Sequence, residues 1–302
     1  MTAVIQTDAL TKRFRKVCAL DQLTLDVPEG AVYALVGPNG AGKTTGIKVL
    51  MNLIAATSGR AEVLGVDTKQ IRGKSYTQIG YVSENQDIPE WMKVGALLEY
   101  LREFYPTWDP ALEDSLIKQF ELPRDRKIKA LSRGMKMKLA LASALAFHPK
   151  LIVLDEPFGG LDPLVRDQLI EGLLERAEET TMFISSHDLA EIESFASHVG
   201  YLEEGKLRFS EDMTALAARF REVEITFDAE RPLPSPLPPC WRQAQASGTV
   251  VRFIESQFDP ERTPAEIQRA FGETKEVSLR PMGLRAIFLS MAKKKEEPQG
   301  AA

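Results

Sequence analysis

The sequence predicts an α/β fold with a parallel sheet at its centre, and three observations support this prediction. Residues 31–36 form a short apolar run that ends in a glycine-rich turn and leads into a helix-like stretch from Thr44. Residues 151–154 are apolar at every position, as in a strand buried on both faces of a parallel sheet. A predicted helix at 163–178 leads into the apolar run 181–185. Strands that alternate with helices are typical of α/β folds.

The segments around this centre predict two further subdomains. Residues 4–14 and 19–27 alternate between apolar and polar positions, which indicates antiparallel strands. From about 87 to 147 the spacing is helical, and we predict an inserted helical subdomain whose last helix, 133–147, ends before Pro149. We expect the aromatic residues of this subdomain to pack in its core: Trp91, Tyr100, Phe104, Tyr105 and Trp108.

The character of the chain changes after residue 215. Before that point, residues 201–203 and 206–209 flank a Glu-Gly turn, as in a hairpin. After it we predict a small α+β accessory domain at 216–292, so that the main domain is 1–215. Its predicted strands are 223–227, 250–254 and 277–280, its predicted helices are 264–271 and 286–292, and its proline-rich segment is 228–240. Residues 293–302 are expected to form a disordered tail.

Composition argues against several classes of protein. The chain carries 38 basic and 43 acidic residues, a net charge of −5, so its overall field does not favour nucleic acid or an anionic membrane. Cys18 and Cys240 lie far apart and form no CxxC pair, which argues against a disulfide framework or a zinc site and favours a reducing, cytoplasmic setting. The apolar runs 49–56 and 139–147 are shorter than the roughly 20 residues that a membrane-spanning helix needs.

The turn after residues 31–36 predicts a site for nucleotide phosphates. It fits the pattern GxxxxGK[ST] between a predicted strand and a predicted helix. Its glycines let backbone N–H groups surround phosphate oxygens, and the following helix directs its positive end at the same anion. Lys43 is expected to reach the terminal phosphates of ATP, and the Thr44 hydroxyl to bind Mg²⁺. The predicted nucleotide contacts are Gly37, Pro38, Asn39, Gly40, Ala41, Gly42, Lys43, Thr44 and Thr45.

Two acids follow the predicted strand at 151–154. Asp155 stands at the end of that strand, where a carboxylate suits Mg²⁺ beside the phosphate loop. Glu156 is the next residue, and its carboxylate can orient and polarise a water for in-line attack on the γ-phosphate. The sequence therefore predicts a metal ligand and a catalytic base side by side.

Residues 131–135 read LSRGM and precede a predicted helix, which is followed by the strand that ends in the two acids. With these motifs, residues 1–215 resemble the nucleotide-binding domain of ABC transporters. The pentapeptide is similar to the LSGGQ signature of that family, with arginine at its third position and methionine at its fifth. The resemblance implies that Ser132 and Gly134 contact the γ-phosphate of an ATP held by the opposite subunit. A hydroxyl and a glycine N–H at a helix start suit an anion.

The same resemblance implies roles for three further residues. Asp162 closes the segment Gly-Leu-Asp, which resembles the D-loop that communicates between the two sites of a dimer. His187 resembles the switch histidine that contacts the γ-phosphate. Phe14 matches the aromatic residue that stacks on adenine, and a buried strand phenylalanine is the alternative interpretation.

One motif departs from the family pattern. Residues 79–84 lie where the family has a glutamine that approaches the metal, and direct matching places Glu84 there. We therefore assign Glu84 as a metal ligand through water, with Gln86 as an alternative. The LSRGM motif, Glu84 and the segment 104–109 together resemble bacterial ABC-2-type exporters more than sugar or amino-acid importers.

The resemblance implies a complete architecture and function. The fold is expected to be a P-loop NTPase of the ABC ATPase type, with an antiparallel β subdomain, the inserted helical subdomain and the small C-terminal α+β appendage. The chain is expected to be an ATPase that uses ATP and Mg²⁺ and energises transport, as export, through a separate transmembrane permease. It would form a homodimer, or a heterodimer with another ABC ATPase subunit, as a cytoplasmic protein peripheral on the inner face of the cell membrane.

The alternative is a soluble ABC ATPase that acts on nucleic acid or the ribosome. Such relatives usually carry two ATP-binding halves or a very long coiled-coil insertion, whereas this chain has one half and a compact insertion. It also lacks a basic, aromatic-interleaved stretch, so no nucleic acid partner is predicted. Regulation, dimer support and partner docking are all open roles for the appendage.

Overall fold

The structure is a computed structural model that describes residues 2–84 and 86–292. The chain divides into two compact units, Met1–Glu211 and Asp212–Ala302. The prediction placed this boundary after residue 215. The predicted disordered tail at 293–302 lies outside the described residues.

The first unit is built from strands and helices in alternation. Its strands are β1 (Ala3–Phe14), β2 (Val17–Pro28), β3 (Val32–Val36), β4 (Ser58–Val63), β5 (Val66–Asp67), β6 (Ile79–Ser83), β7 (Leu151–Asp155), β8 (Thr181–Ser186), β9 (His198–Glu203) and β10 (Lys206–Asp212). Its α-helices are α1 (Lys43–Leu50), α2 (Val94–Arg102), α3 (Pro110–Gln119), α4 (Arg133–Leu145), α5 (Pro163–Leu174) and α6 (Leu189–Ile192), with short 3₁₀ turns at Thr68–Gln70, Gly73–Gln78 and Ile128–Ala130.

A six-stranded sheet in the order β10-β9-β3-β8-β7-β6 forms the centre of this unit. The neighbours from β9 to β6 pair in parallel. Every residue of β3, β7 and β8 is buried, which explains why their sequences are mostly apolar; the buried polar residues are Asp155 at the end of β7 and Thr181, Ser185 and Ser186 in β8. Since parallel strands end at one edge, the segments after β3, β7 and β8 emerge together there, the usual place for a ligand in such sheets.

A second sheet, in the order β2-β1-β4-β5, is antiparallel. Alternate residues are buried in β2 from Leu23 to Val27, whereas register shifts in β1 leave adjacent residues buried at Val4 and Ile5 and at Leu10 and Thr11. Ile5, Leu20 and Leu25 from this sheet share one apolar cluster with Ile47 of α1 and Phe183 of β8. This cluster fixes the first helix between the two sheets.

The helical region packs α2, α3 and α4 against the other side of the central sheet. Its core contains Leu98, Leu116 and Phe120 with Leu139 and Leu154. Glu113 of α3 is buried inside this region. Its carboxylate accepts hydrogen bonds from Arg102 at 2.9 Å, Arg124 at 2.7 Å and Trp108 Nε1 at 2.8 Å.

The aromatic residues of the helical region do not all lie in its core. Trp108 is buried and Tyr105 stacks on Phe147 with ring centroids 4.0 Å apart. Trp91, Tyr100 and Phe104 are 76%, 55% and 56% exposed, so the expectation of core packing is wrong for these three. Tyr100 and Phe104 lie one helical turn apart, and this spacing describes an outward face as well as an inward one.

The second unit is an antiparallel sheet covered by a helix. Its strands are β11 (Arg221–Thr226), β12 (Trp241–Ser247), β13 (Val250–Glu255) and β14 (Glu276–Pro281), and its helices are α7 (Met213–Arg219), α8 (Arg262–Phe271) and α9 (Leu284–Ala292). The strand order is β12-β13-β11-β14. Val223, Trp241 and Phe253 form its core with Ile267 and Phe271 of α8. Among the helices that the structure describes in either unit, none has the length and apolar character that a bilayer crossing requires.

Candidate active site

The loop between β3 and α1 has a backbone that requires glycine at two positions. Gly42 has a φ of 110°, in the left-handed region that favours glycine. A Cβ atom at Gly42 would lie 2.3 Å from the carbonyl oxygen of Ala19, and one at Gly37 would lie 2.0 Å from that of Leu202. Side chains there would clash with the neighbouring backbone. The loop continues directly into the first turn of α1, so the backbone N–H groups of the loop and of the helix start are close together. This arrangement suits a phosphate.

Lys43 places a buried ammonium group inside this loop. Its Nζ donates to the carbonyl oxygen of Gly37 at 2.7 Å and to that of Pro38 at 3.3 Å. It also pairs with Glu156 Oε1 at 3.1 Å. These contacts hold the ammonium between the loop and the residue that follows β7, where it can exchange carbonyl oxygens for the oxygens of a bound phosphate.

Thr44 and Asp155 bring two oxygen donors together at the end of β7. The Thr44 hydroxyl donates to Asp155 Oδ1 at 3.0 Å, and the Ser185 hydroxyl donates to the same oxygen at 2.7 Å. Asp155 is buried. A hydroxyl and a carboxylate are the ligand types that Mg²⁺ prefers, so this pair has the chemistry of a magnesium site.

Ser185 connects the two acids and was not predicted as a site residue. Its hydroxyl donates to Asp155 and accepts a hydrogen bond at 3.0 Å from the backbone N–H of Glu156. The residue is fully buried at the end of β8, beside Asp155 in the parallel register. A small polar residue at the end of a buried apolar strand is the sequence signal that indicates such a role.

Glu156 lies between two basic side chains. Its Oε1 pairs with Lys43 and its Oε2 lies 2.8 Å from His187 Nδ1. The carboxylate is largely buried, with 15% of its side chain exposed. The hydrogen bond to Glu156 raises the pKa of His187, with burial acting in the opposite direction. Glu156 also has a φ of 52°, and such left-handed strain costs about 1–3 kcal/mol and is typical of functional sites.

Ser132 and Gly134 form a separate site at the start of α4. Ser132 is the N-cap, and its hydroxyl accepts from Met135 N at 3.2 Å. A Cβ atom at Gly134 would lie 2.9 Å from Val165 Cγ1, so glycine permits the close approach of α5. Within the part of the chain that the structure describes, no hydrogen bond joins either residue to the phosphate loop of the same chain. Ser132 is exposed at the surface.

Arg133 holds the carboxylate of Glu84. Its guanidinium pairs with Glu84 and donates to the carbonyl oxygen of Gly159 at 2.5 Å. The backbone N–H of Glu84 donates to Asp155 O at 3.0 Å, so the residue lies next to the acid-ended strand while its side chain is engaged elsewhere. Gln86, the alternative, accepts from Ser83 N at 3.4 Å through Oε1. A metal-binding role for Glu84 stays a prediction.

The other predicted contacts surround the loop or lie at element ends. Asp162 caps α5 by accepting from Val165 N at 3.1 Å. Phe14 is 46% exposed with Lys12 Nζ 4.8 Å from its ring centroid, so one strand end presents an accessible aromatic face. In the loop itself, the remaining residues are the exposed Pro38, Asn39 and Gly40, the buried Ala41 and the half-buried Thr45.

The structure therefore groups the side chains of five predicted residues, while the backbones of Gly37, Pro38 and Glu84 also contact this group. Lys43, Thr44, Asp155, Glu156 and His187 are joined by hydrogen bonds and ion pairs, with Ser185 between the acids. This group combines a phosphate-binding loop, an oxygen site for Mg²⁺ and a carboxylate that can activate water.

Comparisons with known proteins place this site in a family. A family model described as "ABC transporter" matches residues 20–159, the segment from β2 past the two acids. The bacitracin transport ATP-binding protein BcrA of Enterococcus faecalis is 31% identical over 226 residues, covering 74% of this chain and 73% of BcrA. The ABC transporter ATP-binding protein YtrB of Bacillus subtilis is 29% identical, covering 75% of this chain and 78% of YtrB.

One relative extends over both units, and solved structures share the fold. The daunorubicin/doxorubicin resistance ATP-binding protein DrrA of Streptomyces peucetius is 29% identical over 313 residues, covering 96% of this chain and 92% of DrrA. A solved ATP-binding subunit of an ABC transporter has a TM-score of 0.65 at 25% identity, over 71% of this chain and 92% of its own. The ATP-binding cassette MJ0796, bound to ADP and Pi, shares the fold with a TM-score of 0.62.

Proposed function

The chain belongs to the family of ABC transporter ATP-binding proteins, and from this premise we propose that it powers export through a separate transmembrane permease. The predicted family, fold and function as an ATP-hydrolysing subunit that energises transport are confirmed. They are favoured over the alternative of a soluble ABC ATPase that acts on nucleic acid or the ribosome.

The phosphate loop is the proposed binding site for the triphosphate of ATP. Its N–H groups and Lys43 would bind the phosphate oxygens, and the exposed ring of Phe14 would stack on adenine. Thr44 and Asp155 would hold Mg²⁺, since their oxygens already lie 3.0 Å apart. When bound, the metal would neutralise charge on the phosphates and orient them for displacement.

The observation that carries the chemical proposal is the position of Glu156 between Lys43 and His187. Its carboxylate would accept a hydrogen bond from the attacking water, which displaces ADP from the γ-phosphate and yields inorganic phosphate. Lys43 would then bind the transferred phosphoryl oxygens, and His187 would hold them from the other side. Ser185 positions both acids through its hydroxyl.

Two substitutions separate binding from chemistry. Lys43→Ala removes the charge held against the phosphates, so we expect both ATP affinity and turnover to fall. Glu156→Gln keeps the shape but loses the charge that polarises water, so ATP should bind and persist while turnover falls by about 10²-fold or more. Equilibrium binding of a fluorescent ATP analogue and release of phosphate measure the two quantities.

The matched control is Glu171→Gln, an exposed glutamate on α5 away from this group. It should bind and hydrolyse ATP as the parent chain does. Hydrolysis by Glu156→Gln at the parental rate would contradict the role assigned to Glu156.

The exposed aromatic residues of the helical region are the proposed contact with the permease. Trp91, Tyr100 and Phe104 present apolar surface that the core of the unit does not cover, and Tyr100 and Phe104 pack edge to face with centroids 5.0 Å apart. Adjacent exposed aromatics are typical of protein–protein contacts. A contact of this kind would hold the chain on the inner face of the membrane. The name of the daunorubicin/doxorubicin relative, which refers to drug resistance, supports export as the direction.

Single cysteines test this contact in membranes that contain the permease. Trp91→Cys and Tyr100→Cys should crosslink to it, and the parent chain with its own two cysteines is the reference. Leu53→Cys, at an apolar side chain that is 54% exposed outside the helical region, is the matched control and should not crosslink. Equal crosslinking from all three positions would show that the helical region is not the specific docking surface.

A further inference from the structure

The second unit contains an unusual concentration of polar atoms without partners. Across the described residues, the buried side-chain nitrogen and oxygen atoms that lack a hydrogen bond are Trp241 Nε1, Glu255 Oε2 and Glu266 Oε2. All three belong to this one unit. Glu255 is fully buried and Trp241 is 5% exposed. Because an unpaired buried polar atom loses hydration without compensation, such atoms call for a physical explanation.

The two glutamates converge on the sulfur of Cys240. The Cys240 Sγ and one carboxylate oxygen from each of Glu255 and Glu266 all lie within 4.8 Å of one another. The backbone positions these side chains from three elements: Trp241, next to Cys240, pairs with Glu255 across β12 and β13, and Glu266 lies on α8. Ser256 fixes the Cys240 backbone by donating to its carbonyl oxygen from both N and Oγ at 2.9 Å.

Each glutamate has one oxygen engaged and the other unpaired. Glu255 Oε1 accepts from Gln257 N at 2.6 Å, and Glu266 Oε1 lies 3.5 Å from Arg262 Nε. The Oε2 atoms are therefore the oxygens that remain available for a further ligand. Cys18, the other cysteine, instead donates through its sulfur to Leu20 O at 3.2 Å.

A divalent cation would provide a partner for the two glutamate oxygens, whereas Trp241 Nε1 is a hydrogen-bond donor and would stay unpaired. Two carboxylates this close repel each other unless a positive charge lies between them; Glu255 is fully buried, while Glu266 is 29% exposed and has Arg262 Nε 3.5 Å from its Oε1. A single sulfur donor beside two oxygens favours a borderline ion such as Zn²⁺ over Mg²⁺ or Ca²⁺. Burial and the neighbouring Glu255 raise the pKa of the Cys240 thiol to about 11, so a bound cation would have to displace its proton.

We propose that Cys240, Glu255 and Glu266 form a binding site for Zn²⁺, completed by a water molecule. The ion would join α8 to the start of the edge strand β12 and to the end of β13, and so stabilise the second unit. This proposal does not depend on ATP hydrolysis. It also differs from the expectation drawn from cysteine spacing, because its ligands comprise one cysteine and two acids from distant segments.

The test is Cys240-dependent metal uptake by the full chain. After treatment with a chelator, each protein is incubated with ZnCl₂, desalted and analysed by atomic emission. The parent chain and the matched control Cys18→Ser should each retain one zinc equivalent more than Cys240→Ser. With Co²⁺ in place of Zn²⁺, the thiolate charge-transfer absorption should occur in the first two proteins and be absent in the third.

Circular dichroism shows whether each variant is folded, and Glu266→Gln provides a second, milder loss of a ligand. It too should retain less zinc than the parent chain, and ZnCl₂ should raise the melting temperature of the parent chain more than that of either ligand variant. Equal zinc content in all four folded proteins would overturn the proposal and would leave a proton shared by the two glutamates as the explanation. Since the readout is metal content, its failure would not affect the proposed ATPase site.

Discussion

Among single residues, Glu156 couples the charges of the candidate site. Its carboxylate lies against Lys43 on one side and His187 on the other. A change at Glu156 should therefore alter the protonation of His187. The protonated imidazole is favoured by this contact, which raises the pKa of His187. The stabilisation from this pair is therefore fully present below the unfolded pKa of about 6.5 and is lost as the pH rises through the folded value.

We predict that Glu156→Gln lowers the pKa of His187 towards its ordinary value, because an amide carries no charge to hold the imidazolium. The measurement is the pH titration of the His187 ring protons by NMR, assigned with His187→Gln, in chain without nucleotide. Glu171→Gln should leave the titration unchanged. An unaltered His187 titration in Glu156→Gln would show that the hydrogen bond does not control this residue.

At the scale of an element, Glu113 links α3 to its neighbours in the helical region. It is 1% exposed, and burial by itself would raise its pKa, but hydrogen bonds from Arg102, Arg124 and Trp108 outweigh burial and lower it. A lowered pKa contributes stability that is present above the unfolded value of about 4.3 and is lost as the pH falls through the folded value.

We predict that Glu113→Ala destabilises the chain by about 1–3 kcal/mol at pH 7, since Trp108 Nε1 would lose its buried acceptor. The shift of the urea midpoint measures this effect and should shrink as the pH falls below about 4.3 towards the folded pKa of Glu113. Asp114→Asn is the matched control, because Asp114 pairs with the same Arg124 but is 74% exposed, and it should cost below about 1 kcal/mol. Equal effects of the two substitutions would contradict a special role for the buried carboxylate.

The elements that could be predicted are those whose burial follows a regular pattern in the sequence, either consecutive apolar residues or, in β1 and β2, alternating ones. Strands β3, β7 and β8 are buried on both faces, so each has a continuous run of apolar residues, which polar residues follow in β7 and β8. Strand β12 was missed because it is an edge strand of mostly exposed polar residues, WRQAQAS. The phosphate loop and the acid pair are contiguous motifs, whereas the contacts of Arg133 with Glu84 and of Cys240 with Glu266 join distant segments that only the fold brings together.

At the scale of the whole molecule, the predicted signature residues are not joined by hydrogen bonds to the candidate site of the same chain within the described residues. Lys43, Asp155, Glu156 and His187 are grouped, while the exposed Ser132 has no hydrogen bond to this group among the described residues. We infer that a second copy supplies Ser132 and Gly134 to the open side of the γ-phosphate. ATP would then join the two subunits and stabilise the dimer by mass action.

We predict that mixing two inactive variants will show that each copy of the chain supplies a different part of the site. Ser132→Arg should block the contact that Ser132 and Gly134 make with the γ-phosphate, and Lys43→Ala should disable the phosphate loop. Each homodimer should therefore lack ATPase activity. In mixed pairs one intact site can form, and the mixture should recover activity that neither protein shows alone. Phosphate release measures the recovery, and a mixture of Ser132→Arg with Ser132→Ala protein is the matched control without recovery.

Gel filtration of Glu156→Gln provides the direct measure of assembly. With ATP present and hydrolysis blocked, the chain should elute as a dimer, and without nucleotide as a monomer. A chain that binds ATP and still elutes as a monomer at high concentration would rule out the shared site.

The place of β8 in the central sheet means that β3 can complete its native pairing only after most of the first unit has been synthesised. Strand β3, which carries the phosphate loop, is hydrogen-bonded in that sheet to β8 and β9, and β8 is the strand between it and the acid-ended β7. Both partners of β3 are encoded far downstream of it. While the chain is being synthesised, the phosphate loop therefore follows a strand whose native partners do not yet exist, and we expect a chain truncated before residue 181 not to bind ATP.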